Sequence, residues 1–216
     1  MPTWIRDPTH YGNLTQAEME NNALCVRDWF YANSDWTINA IAAMVANMEG
    51  ESKICSDSME HPGQPIGIPD NDGIGFVQWT TVSASDGNPL FQILDYLYNT
   101  HSNWEDPEKQ CHSIMAEYRQ SIGQIPGSAF DFWWGNGDPD IRAQYPLSFT
   151  QWAHSTANPG YLALHFQATY ERPKVLDPRR EQWGNDWYQF LTGHPPTPVP
   201  TTRKGLKVWQ MIRYHL

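Results

Sequence analysis

Two short stretches decide the reading: Asn47-Met48-Glu49-Gly50-Glu51-Ser52 and, further along, Gly73-Ile74-Gly75-Phe76-Val77-Gln78-Trp79-Thr80. The first closes a helix. Thr37 precedes Ile38, Ile41, Val45 and Met48, which recur at helical spacing, and the pattern stops near Gly50 and Glu51. The second alternates Ile74 and Phe76 with glycines, as in a short strand that lets a polymer approach the backbone. Between them, Pro62, Pro65 and Pro69 stand among Gly and Asp turn residues, so residues 52–88 read as loop plus a short hairpin.

Outward from this pair, helix signals dominate. Thr15-Gln16-Ala17-Glu18 is a capping box that opens a helix to about Tyr31. Asn88-Pro89 starts another, with Leu90, Ile93, Leu94 and Leu97 inward, and Asp106-Pro107 a third, with Cys111, Ile114, Met115 and Tyr118 inward. Ser148-Phe149-Thr150-Gln151 repeats the capping box, and helices are predicted over 148–156, 159–172 and 178–191. The fold class is therefore mainly α, a helical bundle with one short β-hairpin. Residues 1–193 form one body. Residues 194–200, with four prolines, read as a stiff linker, and residues 201–216 as a basic and apolar tail carrying Arg203, Lys204, Lys207 and Arg213.

Composition narrows the function classes. Fourteen Lys and Arg against 24 Asp and Glu give a net charge of −10, which argues against double-stranded nucleic acid as the main ligand. No stretch approaches a membrane span. The start, Met1-Pro2-Thr3-Trp4-Ile5-Arg6-Asp7, has no basic segment followed by an apolar run, so no signal peptide is expected. Cys25, Cys55 and Cys111 are odd in number and read as free thiols. The eight His residues have no ligand spacing, so neither metal nor other cofactor is expected. Of the abundant aromatics most belong to the core, and a minority suit the flat C–H faces of sugar rings.

A glycosidic bond breaks when a carboxylic acid protonates the leaving oxygen, and apolar surroundings keep such a group protonated. Glu51 lies next to Met44 on the helical wheel, and Glu49 beside Ile38 and Ala42, so periodicity leaves both open. Gln78 suits a hydrogen bond to an N-acetyl or hydroxyl group, and Trp79 a ring stack. Phe132-Trp133-Trp134-Gly135-Asn136-Gly137 fits either a cleft wall or a turn packed on the core.

Together these motifs resemble the lysozyme superfamily, its goose-type and soluble lytic transglycosylase branch, and most closely the phage tail lysozyme family. That family has a small-residue helix ending Asn-x-x-x-Glu-Ser, then Gly-x-Gly-x-x-Gln-Trp-Thr. Asn47, Glu51 and Ser52, then Gly73, Gly75, Gln78, Trp79 and Thr80, stand at those positions. Phe166-Gln167-Ala168-Thr169-Tyr170-Glu171-Arg172-Pro173 is similar to its Phe-x-x-x-Tyr-Glu-Arg-Pro helix end. The resemblance runs from about Asn21 to Pro173. Lys53-Ile54-Cys55-Ser56 departs from it, since the family has an apolar residue and proline there.

The resemblance implies a lysozyme-like α+β fold with the hairpin beside the cleft. It selects Glu51 as the acid and puts Ser52, Gly73, Gly75, Gln78, Trp79 and Thr80 in contact with substrate. Likeness to goose-type enzymes offers Asp70 or Asp72 as a second carboxylate, against the plainer reading that both form turns. Glu171 reads as a structural residue pairing inside a helix end. The implied function is a muramidase acting on bacterial peptidoglycan strands at the N-acetylmuramic acid–N-acetylglucosamine bond. It would sit in the virion on the phage tail, attached to tail or baseplate proteins through its C-terminal tail, or be released on host lysis. The alternatives are a lytic transglycosylase giving anhydro ends, and a non-catalytic virion or cell-wall-binding protein that keeps the fold.

Overall fold

The computed structural model describes residues 2–63, 72–81, 104–124, 133, 139–171, 173 and 175–194. Helix α1 spans Gln16–Asn33 and α2 spans Ile38–Ser52. Strands β1 (Asp72–Ile74) and β2 (Trp79–Thr81) follow, then α3 (Pro107–Ser121), α4 (Pro139–Gln144), α5 (Phe149–Ala153), α6 (Pro159–Phe166), a π-helical turn (Gln167–Glu171) and α7 (Arg179–Gly193). The mainly α architecture with a small hairpin is as the sequence predicts. The predicted helix from Asn88, the linker beyond His194 and the tail lie outside the described residues.

The caps form as their chemistry dictates. Thr15 accepts from the Glu18 amide at 3.4 Å while the Glu18 carboxylate accepts from the Thr15 amide at 2.8 Å. Ser148 and Gln151 repeat the exchange at 3.2 and 2.9 Å. Each cap is worth about 1 kcal/mol.

The axis of the core is α2, whose side chains from Ala40 through Met48 are all buried. Its alanines at 40, 42, 43 and 46 let α6 and α7 pack closely on it. Asn47 donates to the Ala43 carbonyl at 2.8 Å and to the Ala163 carbonyl at 3.0 Å, tying α2 to α6. Where α6 crosses α7, glycine meets glycine: a Cβ on Gly184 would stand 2.6 Å from the Pro159 carbonyl oxygen and 3.0 Å from the Gly160 Cα. The far end of α7 is closed by buried Arg27, which donates to the Leu191 carbonyl at 3.0 Å and to that of His194.

A second core layer is aromatic. Trp36, Tyr118, Trp133, Phe149, Trp152 and Phe166 pack edge to face or stacked, with Trp133 and Phe149 4.2 Å apart at 21°. Trp133 donates from its indole to the Leu147 carbonyl at 2.7 Å, so of its two sequence readings the core one holds. His165 sits in this layer and accepts from the Leu147 amide at 2.9 Å. Burial pushes its imidazole down to about 4 from the usual 6.5. A folded value below the unfolded one means that the unfolded chain binds the extra proton. The stabilisation is whole above about 6.5 and is lost as the pH falls towards 4. We expect roughly 3 kcal/mol of stability to disappear over that window. Urea midpoints at pH 7 and pH 4.5 should differ for the native chain and converge in His165→Gln; an equal loss in both would remove His165 as the cause.

The sequence predicts one helix over 159–172. The structure instead gives α6 only to Phe166, then the π turn. The wider turn orients two adjacent side chains differently. Tyr170 donates to Glu117, and Glu171 faces the end of α2.

Candidate active site

The last turn of α2 carries both candidate glutamates, and α7 tells them apart. Glu49 accepts from the Trp187 indole at 2.7 Å. Glu51, with 27% of its side chain exposed, forms an ion pair with Arg180 of α7, whose side chain is 4% exposed. The other guanidinium nitrogen of Arg180 donates to the carbonyls of Ala46, at 3.2 Å, and Asn47. The contact requires Gly50, because a Cβ there would lie 2.1 Å from the Arg180 Cζ. A glycine inside a helix costs about 1 kcal/mol, and passage of the guanidinium is what it provides. Just past Ser52 the chain turns sharply: Lys53 and Ile54 have φ of 58° and 56°. Two consecutive left-handed residues of this kind store strain, as functional sites often do.

Glu171 completes the cluster. Its side chain is 7% exposed, its carboxyl oxygens are shut from solvent, and Oε2 lies 3.8 Å from Arg180 Nη2. Desolvation first, then the Glu51 charge, push its carboxyl well above the usual carboxylate range, and the nearby Arg180 does not offset them. Glu171, read from the sequence as pairing inside a helix end, is paired with Arg180 of another helix and also faces Glu51. The expectation of an apolar surround for Glu51 is corrected too, since a buried cation holds it.

The hairpin is antiparallel, with Asp72 opposite Thr81, Gly73 opposite Thr80 and Ile74 opposite Trp79. Ser52 joins it to α2 by donating to the Met48 carbonyl at 3.0 Å or that of Phe76 at 2.9 Å. Gln110 of α3 holds the turn, accepting from the Phe76 amide at 2.8 Å and donating to Ser56 and Trp104 carbonyls at 2.6 and 2.7 Å.

The structure gives most of the expected substrate contacts partners within the protein. Trp79 is 5% exposed and donates from its indole to buried Glu117 at 3.0 Å, so its ring belongs to the core. Ser52 is buried and spent on the helix–hairpin joint. Gly75 is covered by the Gln110 amide, 2.7 Å from where a Cβ would be, and Gly73 by the Gln78 side chain at 2.6 Å. Both glycines make room for protein, not for a polymer. Gln78 is half-buried and gives its amide nitrogen to the Gly75 carbonyl at 2.9 Å. Thr80 and Asp72 enter the description through their backbone pairing alone, and Asp70 lies outside the described residues.

Sequence reasoning missed Arg180 and Trp183. Trp183, half-buried, has three cations over its ring: Arg179 at 5.2 Å, Arg180 at 5.7 Å and Lys53 at 6.0 Å. Basic residues in the first turn of a helix oppose its dipole, so Arg179-Arg180 after Asp177-Pro178 was a signal open to notice.

The pattern of the phage tail lysozyme family matches residues 21–191. The chain belongs to that family. The match runs past Pro173, where the motifs alone stop, and takes in Arg180, Trp183 and Trp187. Morphogenesis protein 1 of Bacillus phage B103 is 27% identical over 192 residues, covering 86% of this chain and 43% of that protein. The chain thus spans less than half the length of this curated relative. No helix among the described residues is long and apolar enough to cross a membrane.

Proposed function

We propose that this chain is a glycosidase of bacterial peptidoglycan that cleaves the N-acetylmuramic acid–N-acetylglucosamine bond, with Glu51 as the general acid. The observation that carries the reading is Glu51 itself. It stands at the end of the family's helix, partly open to solvent, and is gripped from behind by a buried arginine and a second buried carboxyl. A surface glutamate with no task needs no such support. The cations around Trp183 favour an anionic glycan: muramic acid and its peptide stem carry carboxylates, and chitin carries none. Trp183 would stack on a ring while Lys53 and Arg179 meet those carboxylates. Half-buried Gln78 remains the proposed hydrogen-bond partner of an N-acetyl or hydroxyl group.

Glu171 lies on the closed side of Glu51, so it is not the base that activates water in an inverting hydrolysis. That role, if a carboxylate fills it, falls to Asp70 or Asp72. A lytic transglycosylase would need neither. Mass spectrometry of digested peptidoglycan tests the proposal: new reducing ends at muramic acid support hydrolysis, anhydro ends support transglycosylation, and intact strands overturn the enzyme. Trp183→Ala should weaken binding of soluble glycan by roughly 1–3 kcal/mol, by analogy with stacking on bases. Unchanged KM and kcat for that variant would remove Trp183 from the substrate surface.

A component of the phage tail that opens the wall locally is the setting we propose, and a relative named for morphogenesis fits it. Residues 201–216, beyond the prolines, are the proposed attachment element.

A further inference from the structure

Arg180 carries one positive charge and faces two carboxyls. Its Nη2 is bonded to Glu51 and lies 3.8 Å from Glu171. Among the described residues its Nε is buried with no acceptor, so the guanidinium has a donor to spare. Gly50 leaves it room where any side chain would collide. Among the described residues the oxygens of Glu171 find no hydrogen-bond partner, although both carboxyls face the same Arg180 nitrogen, and a buried carboxyl left so is held neutral. Among the described residues the charged groups facing Glu171 are Glu51 from α2 and Arg180 from α7, while Asp177 and Arg179 engage each other at 2.7 Å.

In this arrangement the proton of the trio sits on Glu171 and Glu51 is the partner of the guanidinium. A general acid must carry a proton when the glycosidic bond breaks. We infer that Glu171 is a positioning residue that stores this proton, and that Arg180 releases it by changing partners from Glu51 to Glu171. Closing the 3.8 Å gap ionises Glu171 as its proton passes to Glu51. Before the exchange the charges are negative on Glu51, positive on Arg180 and zero on Glu171. Afterwards they are zero, positive and negative. Nothing enters or leaves, and the cost of an unpaired buried charge is avoided at both ends. The inference rests on Glu51 being the acid.

The test uses the full chain with Glu171→Gln and Glu171→Asp. Infrared difference spectra of the native chain at neutral pH should show the carbonyl stretch of a protonated carboxyl that Glu171→Gln lacks. Turnover of soluble peptidoglycan by Glu171→Gln should fall on the order of 10²-fold with little change in KM. Its alkaline limb should move to lower pH, because the reserve proton held at position 171 is then absent. Glu171→Asp should restore much of the native limb. Native turnover and an unmoved limb in Glu171→Gln, or no protonated-carboxyl band in the native chain, overturns the storage role. If Glu171→Gln does not fold, the native spectrum and the Asp variant decide. Failure of the Glu51 assignment is separate: it shows as cleavage by Glu51→Gln, whatever the infrared band does.

Discussion

Glu51→Gln is expected to leave the helical body folded and to remove the proposed cleavage of cell-wall glycan. Gln has the same shape and accepts from Arg180 through its amide oxygen, so the buried guanidinium keeps one partner at that place. It has no acidic proton to give. The loss should be on the order of 10²–10⁴ in kcat, with binding of substrate little altered. Clearing of purified cell walls, with circular dichroism to check folding, measures both. A folded variant that clears walls at the native rate ends the assignment. Glu49→Gln is the control that separates the two glutamates of the same turn. Glu49 receives the Trp187 indole, and that contact survives in an amide.

Arg180→Ala should damage both stability and turnover. The guanidinium satisfies the carbonyls of Ala46 and Asn47 and one carboxylate from a position 4% exposed. Without it, buried Glu171 and half-buried Glu51 lose the cation that both face. Breaking a buried pair by removing one member costs about 3–5 kcal/mol. Turnover should also fall, because nothing then holds Glu51 against α7. Arg180→Lys should recover only part of the stability, since an ammonium is a point charge without the planar fork that reaches carbonyls and carboxylate together. Denaturant midpoints read the first effect, and cleavage of soluble glycan at low temperature reads the second. A change within about 0.5 kcal/mol for Arg180→Ala would class the pair with ordinary surface contacts.

Local chemistry was legible. Thr15 with Glu18, Ser148 with Gln151 and Asp106 before Pro107 each announce a helix start in adjacent residues, and each cap forms. The end of α2 at Glu51-Ser52 was legible for the same reason. The pairing of Glu51 with Arg180 was not, because 129 residues separate them and no periodicity links them. Trp79 illustrates a different limit. An indole written after a glycine hairpin reads the same whether it faces a sugar or a buried carboxylate, and the deciding residue, Glu117, sits in another helix. The π turn is a third case: Gln167 to Glu171 continue a helical pattern, and only the packing around Tyr170 and Glu171 widens it. Gly50 was the readable clue left unread, since a helix glycine beside a proposed acid invites the question of what passes over it.

Glu117 has a consequence for how the molecule breathes. Its two oxygens receive Trp79 from the hairpin and Tyr170 from the π turn, while its own backbone belongs to α3. Strands of three residues have no independent stability, so the hairpin is ordered only as a limb of the body. Opening it withdraws the Trp79 donor from the carboxylate that Tyr170, the neighbour of Glu171, also engages. Loosening of the hairpin is therefore expected to reach the π turn through Glu117, and hydrogen exchange should show the two segments opening together.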